Sequence, residues 1–374
     1  MKVNRIPAVD GLRTIAVLGV LWAHIWGFFH NIPWRVGIDL NRFISFGRNG
    51  VDLFFVISGF CMYLMYGSKI ARFSRDSFFD FLKRSWLRIA PAFYVLIVVE
   101  SIRLLLLDGR FPFPDFFYHL TFMNIFLPKN LFSPIYWSLS TEFHFYLIFP
   151  FLFLFLKNQQ DIVKRVVFGI LICLACRVFL FYFHRADIAS GETISGFEIW
   201  YRFAEFGFGI IVAVLFVQNR ELPSWVKSAM GFIIGAVVAF AGRICMLTEF
   251  LAHFGKWAFI VRTLSEPLMT LGFGLLLLNV ISSQNIFSRI LSWKPFLFLG
   301  KISYSMYLWH YLIAQYLSVL IIKQWGISLA TMNLSILVTL FILVPVSWIS
   351  FKLFEAPYFR KSTKAKEMAY VEVF

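Results

Sequence analysis

The sequence predicts an all-α polytopic membrane protein with about ten transmembrane helices and both termini in the cytoplasm. Three observations predict it. Hydrophobic residues make up 60% of the 374 and charged residues 15%, with a mean hydropathy of +0.75; a soluble protein has about 45–50% apolar and 25% charged residues. Apolar runs long enough to cross a bilayer recur along the chain, at 13–30, 50–67, 87–107, 135–156, 165–184, 200–217, 228–247, 264–281, 301–322 and 332–354. Lys and Arg also sort by side. With the N-terminus inside, inner segments hold 22 basic residues and outer segments 10, while Arg103, Arg177 and Arg243 fall within spans. This sorting accounts for the net charge of +15 without nucleic acid, which is excluded as a partner.

The first span, "DGLRTIAVLGVLWAHIWGFF", is expected to stay in the mature chain, because its apolar run is long and "AHIWGFF" offers no small-x-small cleavage site. It carries Arg13 at its cytoplasmic mouth and His24 past the midplane. Eleven residues are about three helical turns, so the two side chains share a face roughly 16 Å apart along the axis. A polar line running inward from a cationic mouth fits an elongated anionic ligand. A snorkelling arginine and a histidine bonded to a neighbouring helix fit equally well. The second span, "NGVDLFFVISGF", places Asp52 just after Gly50 near its outer end, as a site residue or a helix N-cap.

The third span follows a basic inner loop, 68–88, and opens "FLKRSWLRIAP". Arg84 and Arg88 stand at i and i+4, where like charges repel by about 0.2–0.5 kcal/mol, so an anion between them is welcome. The arginine fork suits phosphate; plain anchoring at the inner surface is the competing reading. Two longer outer loops follow, 108–134, rich in Phe and Pro, and 185–199. In the fourth span, "WSLSTEFHFY", Glu142 lies at the depth expected for His24, and His144 points elsewhere, because i and i+2 do not share a face.

Cys173 and Cys176 form a C-x-x-C in mid-helix. With Cys61 and Cys245 they lie in apolar spans and are read as packing residues, with no metal spacing and no disulfide framework. "RFAEFGFG" opens the sixth span with Arg202 and Glu205 at i, i+3, most simply a structural ion pair. In "GKISYSMYLWH", His310 is about 15 Å from the Gly300 end, near mid-membrane, with Tyr307 on its face. The tenth span ends "FEAPYFR", where Glu355 can neutralise a nearby arginine. Residues 1–360 then form one membrane-embedded domain and 361–374 a short basic cytoplasmic tail.

His24, Glu142 and His310 at similar depth on three helices, above an arginine-rich lip, suggest chemistry within the membrane on a phosphate-bearing donor from the cytoplasm. No Walker loop, GxGxxG, HExxH or G-x-S-x-G accompanies them.

Taken in order, "DGLR", Arg13 and His24 with ten residues between, "NGVDLFFVISGF", the Arg84–Arg88 pair leading into "RIAP", "WSLSTEFHFY", "RFAEFGFG", "GKISYSMYLWH" and "FEAP" resemble the acyltransferase 3 family of bacterial integral-membrane acyltransferases. The resemblance covers residues 5 to 360. It implies roughly ten helices in the bacterial inner membrane. It also implies a transferase of the cell envelope that modifies polysaccharide: an O-acetyltransferase moving an acyl group, usually acetyl, from cytoplasmic acyl-CoA to a hydroxyl of an extracytoplasmic or lipid-linked glycan. Many relatives carry a hydrolase-like C-terminal domain, which this sequence is expected to lack. Many also have a second acidic residue after the glutamate of the fourth-span motif; Phe143 stands there, leaving Glu142 alone.

The expected mechanism is direct transfer. Arg13, Arg84 and Arg88 bind the donor's phosphates, and the thioester reaches His24. An acceptor hydroxyl enters from the outer side and gives its proton to His24. Glu142 or Asp52 orients the imidazole or the sugar, while His310 and Tyr307 donate to the developing oxyanion. Spacing leaves open which of His24 and His310 is the base. A covalent intermediate on Cys61 or Ser138 has no visible activating neighbour. Acetyl-CoA is the expected acyl donor, succinyl is the alternative acyl group, and no metal is expected. The rival reading is a transporter or flippase for a lipid-linked saccharide, though no internal symmetry of the kind such folds show is present.

Overall fold

The computed structural model describes residues 6–33, 35–36, 38–66, 75–126, 131–154, 162–183, 199–218 and 221–357. The proposed tail at 361–374, most of the 185–199 loop and the 67–74 part of the basic loop lie outside the described residues.

The fold is a bundle of helices, as a bilayer demands: with no water to bond, each backbone polar group must be paired within its own segment. Helix α1 spans Pro7–Phe28, with proline at its first position, where the lost N–H costs nothing. A two-residue hairpin pairs Arg35–Val36 with Ile38–Asp39, the one departure from an all-α chain among the described residues. Then come α2 (Asn41–Phe46), a 3-10 turn at Gly47–Asn49, α3 (Gly50–Tyr66), α4 (Arg75–Asp108), α5 (Phe113–Leu120), α6 (Trp137–Leu154) and α7 (Ile162–Phe183). The chain continues through α8 (Ile199–Val217), α9 (Ala229–Ile244), α10 (Ala258–Ser282), α11 (Ser303–Trp325) and α12 (Leu329–Ser350), closed by a π turn at Phe351–Glu355.

Each of the ten expected spans falls on a helix. Among the described residues, eight of those helices are long and apolar enough to cross a membrane; α6 and α9, with 18 and 16 residues, carry the other two expected spans. The second span differs from expectation. It begins at Asn41, not near residue 50, because α2, the 3-10 turn and α3 run on as one 26-residue element. The turn is seated on α1, where Gly47 meets the backbone of Gly19 and Gly50 that of Ala16. No side chain fits between these backbones, so glycine is what lets the two helices touch there.

Helix α1 lies between α3 and α11; α3 runs along α8, and α9 along α10. The α3–α8 seam is as close as backbones allow, since a Cβ at Gly59 would meet the Phe206 carbonyl and one at Gly209 the Val56 carbonyl. Phenylalanine fills the wider gaps: Phe145 stacks on Phe206 at 3.9 Å, Phe55 on Phe206 at 4.7 Å and Phe122 on Phe143 at 4.4 Å. The outward faces of α7 and α12 are apolar and exposed, as at Phe168, Phe179 and Phe341, and match a lipid-facing belt.

Candidate active site

A cavity with about 780 Å³ of empty space, continuous with solvent, opens among α1, α3, α4, α6 and α11. Three cations reach its wall: Arg13 from α1, Arg88 from α4 and Lys301 from the short helix Lys294–Lys301. Arg13 is buried. Its guanidinium lies 3.7 Å from Asp10 and 3.7 Å from the Cys61 sulfur. Arg88 approaches the ring face of Tyr146 at 6.0 Å. Glu355 is turned inward by the π turn, bonded by the Ser305 hydroxyl at 2.5 Å, and lies within electrostatic range of Arg88 and Arg13. A π turn inserts one residue into the helical spacing and re-aims the side chains after it.

Away from these cations the wall is aromatic and hydroxylic, with Phe54, Phe55, Ser58, Ser138, Tyr304 and Tyr307. Glu142 also lines the cavity. It accepts hydrogen bonds from Ser58 at 2.8 Å and from the Tyr146 hydroxyl. Tyr307 is fixed at its tip, where its hydroxyl lies 2.7 Å from Ser138 Oγ and donates to the Ile135 carbonyl at 3.1 Å.

The cavity ends at Tyr307. Immediately behind that ring, at 5.3 Å between centroids, is His310, and His310 meets His24 with Nδ1 of His24 3.1 Å from Nε2 of His310. The bonds assign the tautomers. Nδ1 of His310 lies 2.6 Å from the Tyr307 carbonyl, which can only accept, so that nitrogen carries the proton. Nε2 of His310 is then a lone pair and takes the Nδ1 proton of His24. Nε2 of His24 is left unprotonated, the nitrogen able to accept a proton from a bound hydroxyl. Tyr311 packs edge-on against His24 at 5.3 Å and fixes the ring.

A second polar group is a buried ion network. Arg202 lies 2.9 Å from Asp52, 3.3 Å from Glu205 and 3.6 Å from Glu266, while Arg177 lies 2.7 Å from Glu266 and 3.8 Å from Glu205. Asn49 donates to Asp52 at 2.9 Å, and Arg202 also faces the ring of Trp137 at 5.1 Å.

These placements revise the expected roles. His24 and His310 are brought together, and Arg13, Arg88, Glu142 and Tyr307 share one cavity. Among the described residues the side-chain hydrogen-bond partner of His24 is His310, neither Glu142 nor Asp52; Glu142 is held by Ser58 and Tyr146, and Asp52 by Arg202 and Asn49. His310 has both ring nitrogens engaged, so it offers no N–H to an oxyanion. Arg84 does not line the cavity and pairs with Asp80 at 3.3 Å on an exposed face. The Arg202–Glu205 pair is present but is one edge of a five-residue network. Sequence reasoning passed over Lys301 as a site residue, and Ser58, Tyr146 and Tyr304 altogether. Lys301 carried a signal, a cation immediately before "ISYSMYLWH"; the other three look like ordinary helix residues.

The family model described as an acyltransferase domain matches residues 6–352. Over 337 residues the chain is 28% identical to the peptidoglycan O-acetyltransferase OatA of Listeria monocytogenes, covering 82% of this chain and 49% of that protein. Over 387 residues it is 25% identical to the O-acetyltransferase OatA of Staphylococcus aureus, covering 96% of this chain and 58% of that protein. The chain thus spans about half the length of the curated relatives it matches. No solved structure matches it.

Proposed function

Because the chain belongs to the acyltransferase 3 family, matched over nearly its whole length, we propose that it is an integral-membrane O-acetyltransferase of the bacterial inner membrane. It moves an acyl group, acetyl in the simplest case, from cytoplasmic acyl-CoA to a hydroxyl of an extracytoplasmic or lipid-linked glycan. Residues 1–360 act as one domain, with both termini in the cytoplasm.

The observation that carries this reading is the cationic cavity ending beside a tautomerically ordered histidine pair. The donor fits its wall. Arg13, Arg88 and Lys301 supply positive charge for phosphates, and the aromatic and hydroxyl wall beyond them suits a slender amide-bearing arm. Arg84, half-buried one turn from Arg88 and paired with Asp80, meets the nucleotide end first. Acyl-CoA supplies an activated thioester, so the protein's task is to position it and to move one proton.

His24 performs that movement. Its Nε2 takes the proton as the acceptor oxygen attacks the thioester carbonyl, and returns it to the departing thiol sulfur. The products are an ester and free CoA. The positive charge on His24 during this exchange is met by the lone pair of His310, which stabilises it more than it stabilises the neutral ring. Tyr307 stands between the cavity and His310, so delivery of the thioester requires its side chain to swing off Ser138 and the Ile135 carbonyl.

The test is purified protein in liposomes given labelled acetyl-CoA on one side and candidate glycans on the other. Labelled ester on the glycan, lost in His24→Ala, is expected. Donor turnover unchanged in a folded His24→Ala protein overturns the assignment of the base. Glycan movement without acylation would restore the flippase reading.

A further inference from the structure

Three arginines outside the cavity and outside the ion network converge from three elements. Arg48 sits on the 3-10 turn Gly47–Asn49, and its Nη2 lies 3.6 Å from where a side chain at Gly27 would begin. Gly27 is one turn beyond His24 on α1, about 5 Å along the axis, and Arg48 and His24 are within electrostatic range. Arg243 is in the last turn of α9, one turn beyond Phe240, which is clasped by Phe43 at 4.7 Å and Phe46 at 5.6 Å from α2. Arg262 is one turn before Ser265, whose hydroxyl reaches the Cys245 carbonyl at the end of α9 at 3.3 Å. Arg243 accordingly lies within range of both Arg48 and Arg262.

These three guanidiniums carry no ion pair or hydrogen bond among the described residues, and Arg243 Nε is buried without an acceptor. The nearby carboxylates are engaged elsewhere. Asp52 is held by Arg202 and Asn49, and Glu266 by Arg177 and Arg202. Glu205 is shared between Arg202 and Arg177. Five arginines therefore face three carboxylates, a surplus of two positive charges on the side of Arg48, Arg243 and Arg262, where Asp52 and Glu266 act on Arg243, and Glu266 on Arg262, only through space. Like charges gathered at the end of the bundle repel one another, and a bound anion relieves that repulsion. Arg48 is exposed and the other two half-buried, so a ligand can reach them.

We infer that Arg48, Arg243 and Arg262 form an anion subsite that takes a carboxylate or phosphate of the acceptor glycan and sets its hydroxyl beside His24. The substrate class is then an acidic saccharide. The ligand's identity as acceptor rests on the function proposed above; the anion site itself does not. Arginine forks match carboxylate and phosphate with paired N–H bonds, and Arg48 links the bound anion to the imidazole through one turn of α1.

The experiment measures equilibrium binding to the purified full chain in nanodiscs of zwitterionic lipid, without donor. The probes are a glucuronate-containing tetrasaccharide and the same tetrasaccharide with its carboxyls reduced. The acidic probe should bind at least about tenfold more tightly, and Arg243→Gln and Arg262→Gln should each remove about tenfold of that preference. Arg243→Lys and Arg262→Lys, which keep the charge, should retain part of it and serve where a Gln variant fails to fold. Equal affinity for the two probes overturns the proposal. So does a result in which the Gln variants lose only the acidic probe's competition with anionic-lipid nanodiscs, which assigns the arginines to headgroups, or one in which they weaken acetyl-CoA binding, which assigns them to the donor. No turnover is read, so a failed His24→Ala test leaves this measurement standing, and failure here leaves that one standing.

Discussion

Replacing His310 with phenylalanine separates a positioning role from a packing role. The ring volume stays, and so do the contacts with Tyr307 and Tyr311, at 5.3 and 6.4 Å between centroids. What disappears is the Nε2 acceptor 3.1 Å from His24. While His24 is neutral this is an ordinary hydrogen bond, of about 0.5–1.5 kcal/mol net; while His24 carries the transferred proton it becomes charge-assisted, about 1.5–3 kcal/mol. The difference, about 1–1.5 kcal/mol, appears only during proton transfer, so kcat should fall roughly five- to tenfold while the donor KM stays put. His24→Ala should cost more, about 10²–10⁴-fold, and the double variant should cost little beyond His24→Ala, because the two act as one unit. The assay is labelled acetyl transfer in proteoliposomes at saturating and limiting donor, with thermal unfolding of each variant as the folding control. A His310→Phe protein with wild-type kcat, or with only a raised KM, would refute the tautomer argument.

Other outcomes follow from the same geometry. Arg13→Ala and Arg88→Ala should each weaken acetyl-CoA binding about ten- to a hundredfold but leave binding of dephosphorylated pantetheine nearly unchanged, as measured by calorimetry. Arg202→Ala leaves Asp52 and its neighbouring carboxylates short of a buried partner and should destabilise the protein by about 3–5 kcal/mol, seen as a lowered Tm whatever ligand is present. His119, on α5 and outside the spans, has its pKa lowered from 6.5 to about 4 by burial. Its neutral form is the folded one, so its contribution is complete above pH 6.5 and is lost as pH falls towards 4, about 3 kcal/mol in all. Thermal unfolding of His119→Phe should be correspondingly less sensitive to acid over that window. Cysteines placed at Gln284 and Gly109 in a cysteine-free background should label from the inside and the outside respectively; the reverse would invert the proposed orientation.

The helices were legible because lipid imposes a length and an apolarity that the chain must display residue by residue. The start of the second span at Asn41 was hidden, since Gly47, Arg48 and Asn49 read as loop and join the helical element only when Gly19 receives them. Equal depth made His24 and His310 candidates, but their contact joins residues 286 positions apart and depends on helix rotation, which periodicity alone does not fix. The same holds for Glu142, whose inward direction was readable and whose partners, Ser58 and Tyr146, were not. Arg84 and Arg88 looked equivalent at i, i+4, yet only Arg88 reaches the cavity. Arg202 and Glu205 showed their local pairing, while Asp52, Arg177 and Glu266 join them only through tertiary packing.

That network also constrains how the protein is made. Arg177 is synthesised about ninety residues before Glu266, the carboxylate that lies 2.7 Å from it. At roughly 5–20 residues per second, it spends about 5–20 seconds without that partner. Until then α8 offers it only the Tyr201 carbonyl at 2.9 Å and Glu205 at 3.8 Å, and an arginine in a membrane helix costs up to about 2.5–3.5 kcal/mol to insert. Helices α7 and α8 are therefore expected to linger at the insertion machinery until α10 emerges, so that the middle of the chain enters the bilayer as a group and a ribosome stalled before residue 258 leaves them stranded at the lateral gate.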